Sequence, residues 1–311
     1  MIVRDRPSGL RLFLTMRGSI LGRIWKSLLV TTLLAAAVTW SGGALLHHKI
    51  TLTTIPFTLI GLPLAIFLGF RSSSAYDRYW EGRKQWGDVV LRSRTLARQC
   101  LSLIDTGQPV ERALTDVRAR MIYRAIGHAH ALRHHLRDTE AAADLKPLLR
   151  AGEWQDLQRA SNKPHFLMIG MGADLRDCIR AGQVDTCLAA AIDATMTGMV
   201  GAGVACERIK NTPVPFSYRL LLHRTSYMYC FLLPFGLVDT IGLMTPFVVA
   251  IITYTIFGLD ALGDEIEEPF GTSANDLALD AVCRTIEIDL REALGDPDVP
   301  APLAPVDYFL T

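Results

Sequence analysis

The stretch from Leu52 to Phe70 limits the fold more than any other part of the chain, because it contains no Asp, Glu, Lys or Arg. At a rise of about 1.5 Å per residue, a helix of this length crosses a hydrocarbon layer of about 30 Å. Leu62, Ile66 and Phe70 recur every four residues, so they share one face of that helix. The spacing leaves two interpretations of this face open, namely the lining of a pore or contact with lipid and neighbouring helices.

A second uncharged run, Ser27 to Leu46, precedes this stretch and is long enough to remain in the membrane. Six cations lie in residues 1–26, and a further cluster of cations begins at Arg71. Because cytoplasmic loops are enriched in Lys and Arg, these clusters predict a membrane hairpin with both ends in the cytoplasm. The connection at residues 46–50 is then outside, and residues 8–23 can form an interfacial helix.

A second membrane hairpin is predicted from two further apolar runs, Thr225 to Val238 and Thr240 to Leu259. Gly236 and Asp239 mark its outside turn, and the cation at Arg219 precedes it on the cytoplasmic side. The remaining chain is polar and helical in pattern, with helices expected at 75–103, 110–137, 166–181, 184–204 and 276–294.

The composition agrees with a membrane part joined to a water-facing part, since 50% of residues are hydrophobic and 20% are charged. The net charge of +1 argues against nucleic-acid binding, because there is no basic excess to displace counterions. The cysteines form no C-x-x-C pair and are interpreted as buried thiols in a reducing compartment. They are Cys100, Cys178, Cys187, Cys206, Cys230 and Cys283.

These patterns predict an all-α membrane protein with four membrane-inserted helices and a cytoplasmic helical domain. The segments are an N-terminal interfacial segment (1–26), a first hairpin (27–70), a cytoplasmic helical domain (71–224), a second hairpin (225–259), cytoplasmic helices (260–294) and a Pro-rich tail (295–311). The tail is expected to be extended, either disordered or packed against a neighbour.

The densest group of metal-binding side chains is His128, His130, His134 and His135. The i, i+4 spacing within it can bind zinc on a helix. However, no Glu stands between the paired histidines, and nearby arginines repel a cation. We interpret the group as a solvated polar face and predict no metal site and no cofactor.

The acidic run Asp264 to Glu268 follows the last apolar run. It is interpreted as a solvated helix end, with a divalent-cation site or a cap on a pore as alternatives. Carboxylates at a helix C-terminus oppose the macrodipole, so compensation by Lys or Arg is expected. No phosphate-binding loop and no G-x-S-x-G motif occurs, and the chain is not expected to be an enzyme.

The second span and its continuation resemble the bestrophin family of pentameric ion channels, in its bacterial branch. The resemblance rests on LPLAIFLGF at 62–70 and SAYDRYWEGR at 74–83. Supporting matches are NKP at 162–164, the Pro213 and Pro215 break, and EPFG at 268–271. The likeness covers about residues 10–292.

The resemblance implies a homopentamer in which each chain gives its second span to a narrow neck lined by Leu62, Ile66 and Phe70. It also implies a cytoplasmic constriction, for which Val184 and Ile179 are the candidates. Animal members bind calcium through an acidic run after the Pro-Phe-Gly. Here residues 272–276 keep one carboxylate, too few hard oxygen ligands for calcium gating.

Physical reasoning also favours an oligomer, because a ring of identical helices closes a path that one chain cannot enclose. An apolar neck gates by dewetting and need not select ions by charge. The resemblance to the bacterial branch favours conduction of monovalent cations (Na⁺, K⁺). An anion (chloride) channel of the same architecture is the alternative, and a non-conducting membrane scaffold is the third. The protein is expected in the cell inner membrane, with lipid and permeating ions as its other partners.

Overall fold

A computed structural model describes residues 1–3, 9, 15–16, 18–45, 48–49 and 53–311, and most of them are helical. The expected all-α architecture is confirmed, apart from one short antiparallel pair, β1 (Ala44–Leu45) and β2 (His48–Lys49). The helices are α1 (Leu21–Trp40), α2 (Ile55–Leu103), α3 (Val117–Arg137), α4 (Ala142–Leu145), α5 (Ala151–Arg159), α6 (Lys163–Arg180), α7 (Thr186–Asn211), α8 (Phe216–Ile241), α9 (Thr245–Glu267) and α10 (Leu279–Ala293). Short 3-10 segments lie at Lys146–Leu148 and Gly242–Met244.

The chain divides into two compact units. The first, called here the apolar unit, comprises Arg4–Tyr79 and Pro213–Pro269. The second, the polar unit, comprises Met1–Val3, Trp80–Thr212 and Phe270–Thr311. Both predicted membrane hairpins, 27–70 and 225–259, therefore fall within the apolar unit, and the side of the membrane on which each segment lies stays a prediction.

Four stretches are long and apolar enough to cross a membrane by length and composition. They are Leu21–Trp40, Ile55–Leu103, Thr186–Asn211 and Phe216–Glu267. The first, second and fourth contain the two expected hairpins, because the fourth includes both α8 and α9. The third is α7, which was expected in the cytoplasmic domain because the region from Ser72 to about Arg224 is polar, charged and helical in pattern.

Helix α2 continues without interruption for 49 residues, which corresponds to roughly 70 Å. Pro63 lies inside it and does not end it, although a proline removes one main-chain hydrogen bond. The expected continuation of the second span through residues 75–103 is confirmed.

The turn of the second hairpin is not at Gly236 and Asp239, where the sequence analysis placed it. Both residues lie inside α8, and the chain turns at Gly242–Met244. Gly242 has a φ of 53°, a left-handed value that favours glycine and ends the helix. Gly236 instead allows close packing, because a Cβ placed there would lie 2.2 Å from Cε2 of Phe57.

The histidine group of α3 is not a solvated polar face. His128 and His130 are 1% and 4% exposed, because α3 packs mainly against α6 and α10. The arginines of α3 are paired with carboxylates rather than left to repel one another. These pairs include Arg118–Asp116, Arg120–Asp174, Arg124–Glu153, Arg133–Asp280 and Arg137–Asp280. In the described part of the chain, no three His, Cys, Asp or Glu side chains form a group that could hold a metal ion.

Burial and hydrogen bonds determine the protonation states of ionisable groups on and near this helix. Desolvation lowers the pKa of His128 to about 4, so its imidazole is neutral at physiological pH. A hydrogen bond with His134 is the main reason that the pKa of Asp144 is well below its ordinary value. The Nε2 atom of His130 lies 3.5 Å from Oε2 of Glu287 on α10. The sequence predicted an amphipathic helix with an apolar side, and the burial of its polar side was missed because the packing helices are distant in the sequence.

The Pro-rich tail is exposed over residues 301–308 and turns at 306–309, but its last residues are hydrogen-bonded to the rest of the polar unit. The amino group of Met1 donates to the carbonyl of Leu310 at 2.5 Å, and the amide of Val3 donates to the carbonyl of Tyr308 at 2.9 Å. The amide of Ala281 on α10 donates to the carbonyl of Thr311 at 2.9 Å. The two ends of the chain therefore lie side by side.

Two expectations concern residues outside those described. Residues 8, 10–14 and 17 of the expected interfacial helix at 8–23 lie there, and so do residues 46, 47 and 50 of the outside connection at 46–50. For the cysteines, the expected burial holds at five positions, whereas Cys187 on α7 is exposed.

Asp116 caps the first turn of α3, and its removal should destabilise the polar unit. Its Oδ1 accepts from the amide of Arg118 at 2.8 Å, and its Oδ2 accepts from the amide of Glu111 at 2.9 Å. Asp116→Ala should cost about 2 kcal/mol of unfolding free energy, whereas Asp116→Asn, which keeps the cap, should cost less. Thermal unfolding followed by circular dichroism measures both, and equal losses would contradict the capping role.

The contribution of Asp116 should depend on pH. Burial raises the pKa of its carboxyl, but hydrogen bonds from Arg118 and Glu111 outweigh burial and hold it below the ordinary value. A group with a lowered pKa in the folded state contributes stability at neutral pH that is lost as pH falls through that pKa. The difference between wild type and Asp116→Asn should therefore shrink on acidification.

Candidate ion pathway

The three predicted neck residues lie together on an uncovered face of α2. Leu62, Ile66 and Phe70 are 66%, 48% and 61% exposed in the single chain. On the opposite face Leu64 and Leu68 are 3% and 1% exposed. One side of this part of α2 is therefore packed and the other carries large apolar side chains with no cover from the described residues of the same chain.

The packed face of α2 is held against α8. Leu64 and Leu68 form a buried cluster with Leu222, and the hydroxyl of Tyr218 donates to the carbonyl of Phe67 at 3.0 Å. Nearer the start of α2, the ring of Phe57 meets that of Tyr229 edge to face, with centroids 6.1 Å apart. These contacts hold the packed face of α2 against α8.

A buried cation follows the neck residues directly. Arg71 is 2% exposed, and its guanidinium donates to carboxylates of Asp260 and Asp264 on α9. A third carboxylate, Glu267, lies 3.9 Å away. Such a group is stable in a membrane protein only when it is paired, because an isolated charge is costly to desolvate. The residue after Phe70 is thus tied to α9.

The carboxylates around Arg71 have further partners. Nδ1 of His223 lies 3.0 Å from Oδ2 of Asp260. The Oε1 atom of Glu267 accepts from the amide of Val214 at 3.1 Å, and the Glu267 carbonyl accepts from Nε of Arg78 at 3.1 Å. The acidic end of α9 is therefore a connected network, and its interpretation as a solvated helix end is wrong for Glu267, which is 3% exposed. The expected compensation by arginine is confirmed.

The pair of Arg71 and Asp260 was not predicted, although the sequence contains a signal for it. Arg71 ends one uncharged run and Asp260 ends another. Opposite charges at the ends of two spans that reach the same membrane boundary are candidates for pairing. Asp260 was overlooked because the acidic run was taken to begin at Asp264.

Beyond Phe70, the same face of α2 becomes polar. Asp77 follows Phe70 by seven residues, which is close to two helical turns, and it is exposed. It is the first formally charged residue on this face after the neck residues, because Arg71 is turned into the protein. Ser73 lies between them and is also exposed.

The two candidates for a second constriction differ in exposure. Val184 is 6% exposed in the loop between α6 and α7, and Ile179 is 38% exposed near the end of α6. Only Ile179 presents substantial apolar surface in the single chain. Both residues belong to the polar unit.

The sequence matches the profile of a family described as "Bacterial/Fungal Bestrophin protein" over residues 1–292. The chain belongs to this bestrophin family. A solved structure of a bestrophin homologue from Klebsiella pneumoniae with a single substitution is 37% identical, with a TM-score of 0.82 over 88% of this chain and 99% of that one. Fold and sequence thus agree on this family.

Two relatives illustrate how similar proteins are named. A voltage-dependent anion channel-forming protein of Mesorhizobium japonicum is 41% identical over 99% of this chain and 96% of its own length. A protein of the same description from Escherichia coli K12 is 39% identical over 99% of each chain. These names describe channel-forming proteins rather than enzymes, and they fit the anion alternative better than the cation expectation.

Replacement of Arg71 should destabilise the bestrophin strongly. Arg71→Met leaves the buried carboxylates of Asp260 and Glu267 without their cation, at a cost of about 3–5 kcal/mol. The matched control is Arg176→Met, because Arg176 pairs with Asp177 at the surface and such pairs contribute little. The temperature at which the detergent-solubilised protein loses its chromatographic peak measures the effect. Equal behaviour of the two variants would refute the anchoring role.

Proposed function

We propose that this bestrophin is an ion channel and that Leu62, Ile66 and Phe70 form its apolar neck. The observation that carries the proposal is the uncovered face of α2, on which three large apolar side chains recur while Leu64 and Leu68 are buried. Such a face needs partners, and identical faces from several copies around one axis would supply them. We take five copies from the resemblance to the bestrophin family.

The channel is proposed to lie in the cell inner membrane with both termini in the cytoplasm. The clusters of Lys and Arg before the first span and after the second support this orientation. The pairing of Met1 with Leu310 supports a common side for both termini, because neighbouring strands of chain lie on the same side of a membrane. Lipid and permeating ions are then the other partners.

An apolar neck opposes ion passage by excluding water, and it does so for either sign of charge. Charged residues beyond the neck therefore have to set the preference for one sign. The names of the relatives at about two-fifths identity favour anions. Asp77 favours cations, since a ring of carboxylates attracts them. We place anion conduction first and keep monovalent cations as the second candidate.

The second constriction is proposed to be at Ile179 rather than Val184. The side chain of Ile179 is 38% exposed, whereas that of Val184 is 6% exposed because it is packed within the same chain. An apolar side chain that narrows a water-filled path has to face that path. The exposure of Ile179 therefore supports its assignment.

Shortening the neck side chains together should raise the current. Replacing Leu62, Ile66 and Phe70 by Ala widens the path and lets water enter, and it leaves the buried face of α2 unchanged. Current through planar bilayers containing the purified protein is the measurement. The matched control replaces Leu33 by Ala, because Leu33 is an exposed leucine of α1 and lies outside the predicted neck face. An oligomeric triple variant with unchanged current would refute the neck assignment, and silence of wild type and variant would favour a scaffold.

The sign of the permeant ion should appear in the reversal potential under a tenfold NaCl gradient. For an anion channel we expect a reversal potential displaced from zero toward the equilibrium potential of chloride, and Asp77→Asn should change it little. A value on the sodium side that moves toward zero in Asp77→Asn would instead establish the cation channel and the role of that ring. Asp298→Asn, in the tail, serves as the control for loss of a carboxylate elsewhere.

A further inference from the structure

A cavity of about 440 Å³ in the apolar unit has no part in the proposed pathway. It lies among α1, α2, α8 and α9, and its size is typical of sites for small ligands. Its charged lining residues are Arg23, Arg71, Arg219, His223, Asp264 and Glu268. Phe216 and Leu220 complete the wall.

The cavity is at the boundary between apolar and charged sequence in every helix that forms it. Arg23 precedes the first apolar run, and Arg71 follows the second. Arg219 precedes the third run, and Asp264 follows the fourth. Residues at such boundaries lie at the level of lipid headgroups. The natural ligand of a polar cavity at this depth is therefore a headgroup.

Only some of the charged residues that line the cavity form ion pairs within the chain. Arg71 is neutralised by the carboxylates of α9, and Nη1 of Arg23 lies 3.5 Å from Glu265. In contrast, Arg219 and Glu268 have no ion-pair partner among the residues that the structure describes. The guanidinium of Arg219 lies 5.7 Å from the ring centroid of Phe216, which holds it beside the cavity.

A cation and an anion that line one cavity without pairing favour a ligand that carries both charges. Arginine binds phosphate through two parallel hydrogen bonds. Glu268 and the partly exposed Asp264 can accept hydrogen bonds from an ammonium group, because a carboxylate has about four acceptor positions. Only an ammonium that keeps its N–H groups can make those bonds.

We propose that this cavity binds the headgroup of a phospholipid that carries both a phosphate and a primary amine, as in phosphatidylethanolamine. Arg219 and Arg23 hold the phosphate, and Glu268 and Asp264 hold the amine. The exposed apolar side chains of α8, such as Leu221 and Met228, are available to the acyl chains. A phosphatidylglycerol lacks the amine, and a phosphatidylcholine has no N–H to donate.

The proposed headgroup site also shares residues with the ion network that follows the predicted neck. Asp264 accepts a hydrogen bond from Arg71, and Arg71 follows Phe70 directly. An ammonium at Asp264 competes with Arg71 for the same carboxylate. The effect of lipid on conduction rests on the proposed neck, whereas binding of the headgroup does not.

The test is native mass spectrometry of the full-length protein in detergent, with phosphatidylethanolamine, phosphatidylglycerol and phosphatidylcholine of identical acyl chains. Wild type should retain phosphatidylethanolamine preferentially. Arg219→Gln should weaken that retention about tenfold, equivalent to about 1.4 kcal/mol. The matched control is Arg224→Gln, which removes an exposed arginine of the same helix outside the cavity and should bind as wild type does.

A second variant keeps the proposal testable if Arg219→Gln fails to fold. Glu268→Gln should abolish the preference for phosphatidylethanolamine over phosphatidylcholine and leave binding of phosphatidylglycerol unchanged. Equal retention of the three lipids by wild type, or equal losses in Arg219→Gln and Arg224→Gln, would overturn the proposal. Displacement of bound lipid by soluble phosphoethanolamine at comparable concentration would overturn the lipid as the source of the headgroup.

These outcomes are independent of the channel proposal. The variant with Ala at Leu62, Ile66 and Phe70 should retain phosphatidylethanolamine as wild type does, because none of these residues lines the cavity. Loss of lipid preference with intact current would refute the lipid site alone. Intact lipid preference without current would refute the channel alone.

Discussion

The buried guanidinium of Arg71 is the interaction on which the apolar unit depends most. The side chain of Arg71 extends from α2 to the carboxylates of α9. Neither the buried cation nor the buried carboxylates would be stable there without the other. Leucine packing alone would let α2 rotate or slide against α8, because apolar contacts are not directional. The hydrogen bonds of Arg71 are directional, and they select the rotation at which Leu62, Ile66 and Phe70 remain uncovered. Hydrophobic burial thus holds the helices together, and the ion network sets their register.

The polar unit shows the same principle in a different setting. Its central helix, α3, carries arginines and histidines on faces that are buried, and carboxylates from α4, α6 and α10 neutralise them. Each of these carboxylates comes from a different part of the sequence. A polar helix can therefore be central to a core when its partners are supplied by several elements.

The sequence predicted those features that depend on local pattern. The two hairpins, the continuous α2 and the family follow from runs of apolar residues, their spacing and short motifs. The features that failed depend on distant partners: the burial of His128 requires α6 and α10, and the tie between Arg71 and Asp260 spans nearly two hundred residues. The turn of the second hairpin failed for a different reason, since Asp239 is compatible with helix and Gly242 decides where the helix ends. The shared face of Leu62, Ile66 and Phe70 was predicted because its periodicity is local, and the assignment of these residues to a neck stays a prediction.

The continuity of α2 has a mechanical consequence for how a channel of this kind could open. Leu62, Ile66 and Phe70 lie on one uninterrupted helix, so a turn of that helix about its own axis would move all of them at once. If they form the proposed neck, their three hydrophobic layers would act as a single barrier, and intermediate states with one layer open and two closed would not be favoured. Identical helices from several copies around a common axis would be coupled as well, so that all copies would move together. Opening would then be steep and all-or-none, with a free-energy difference concentrated in one collective step.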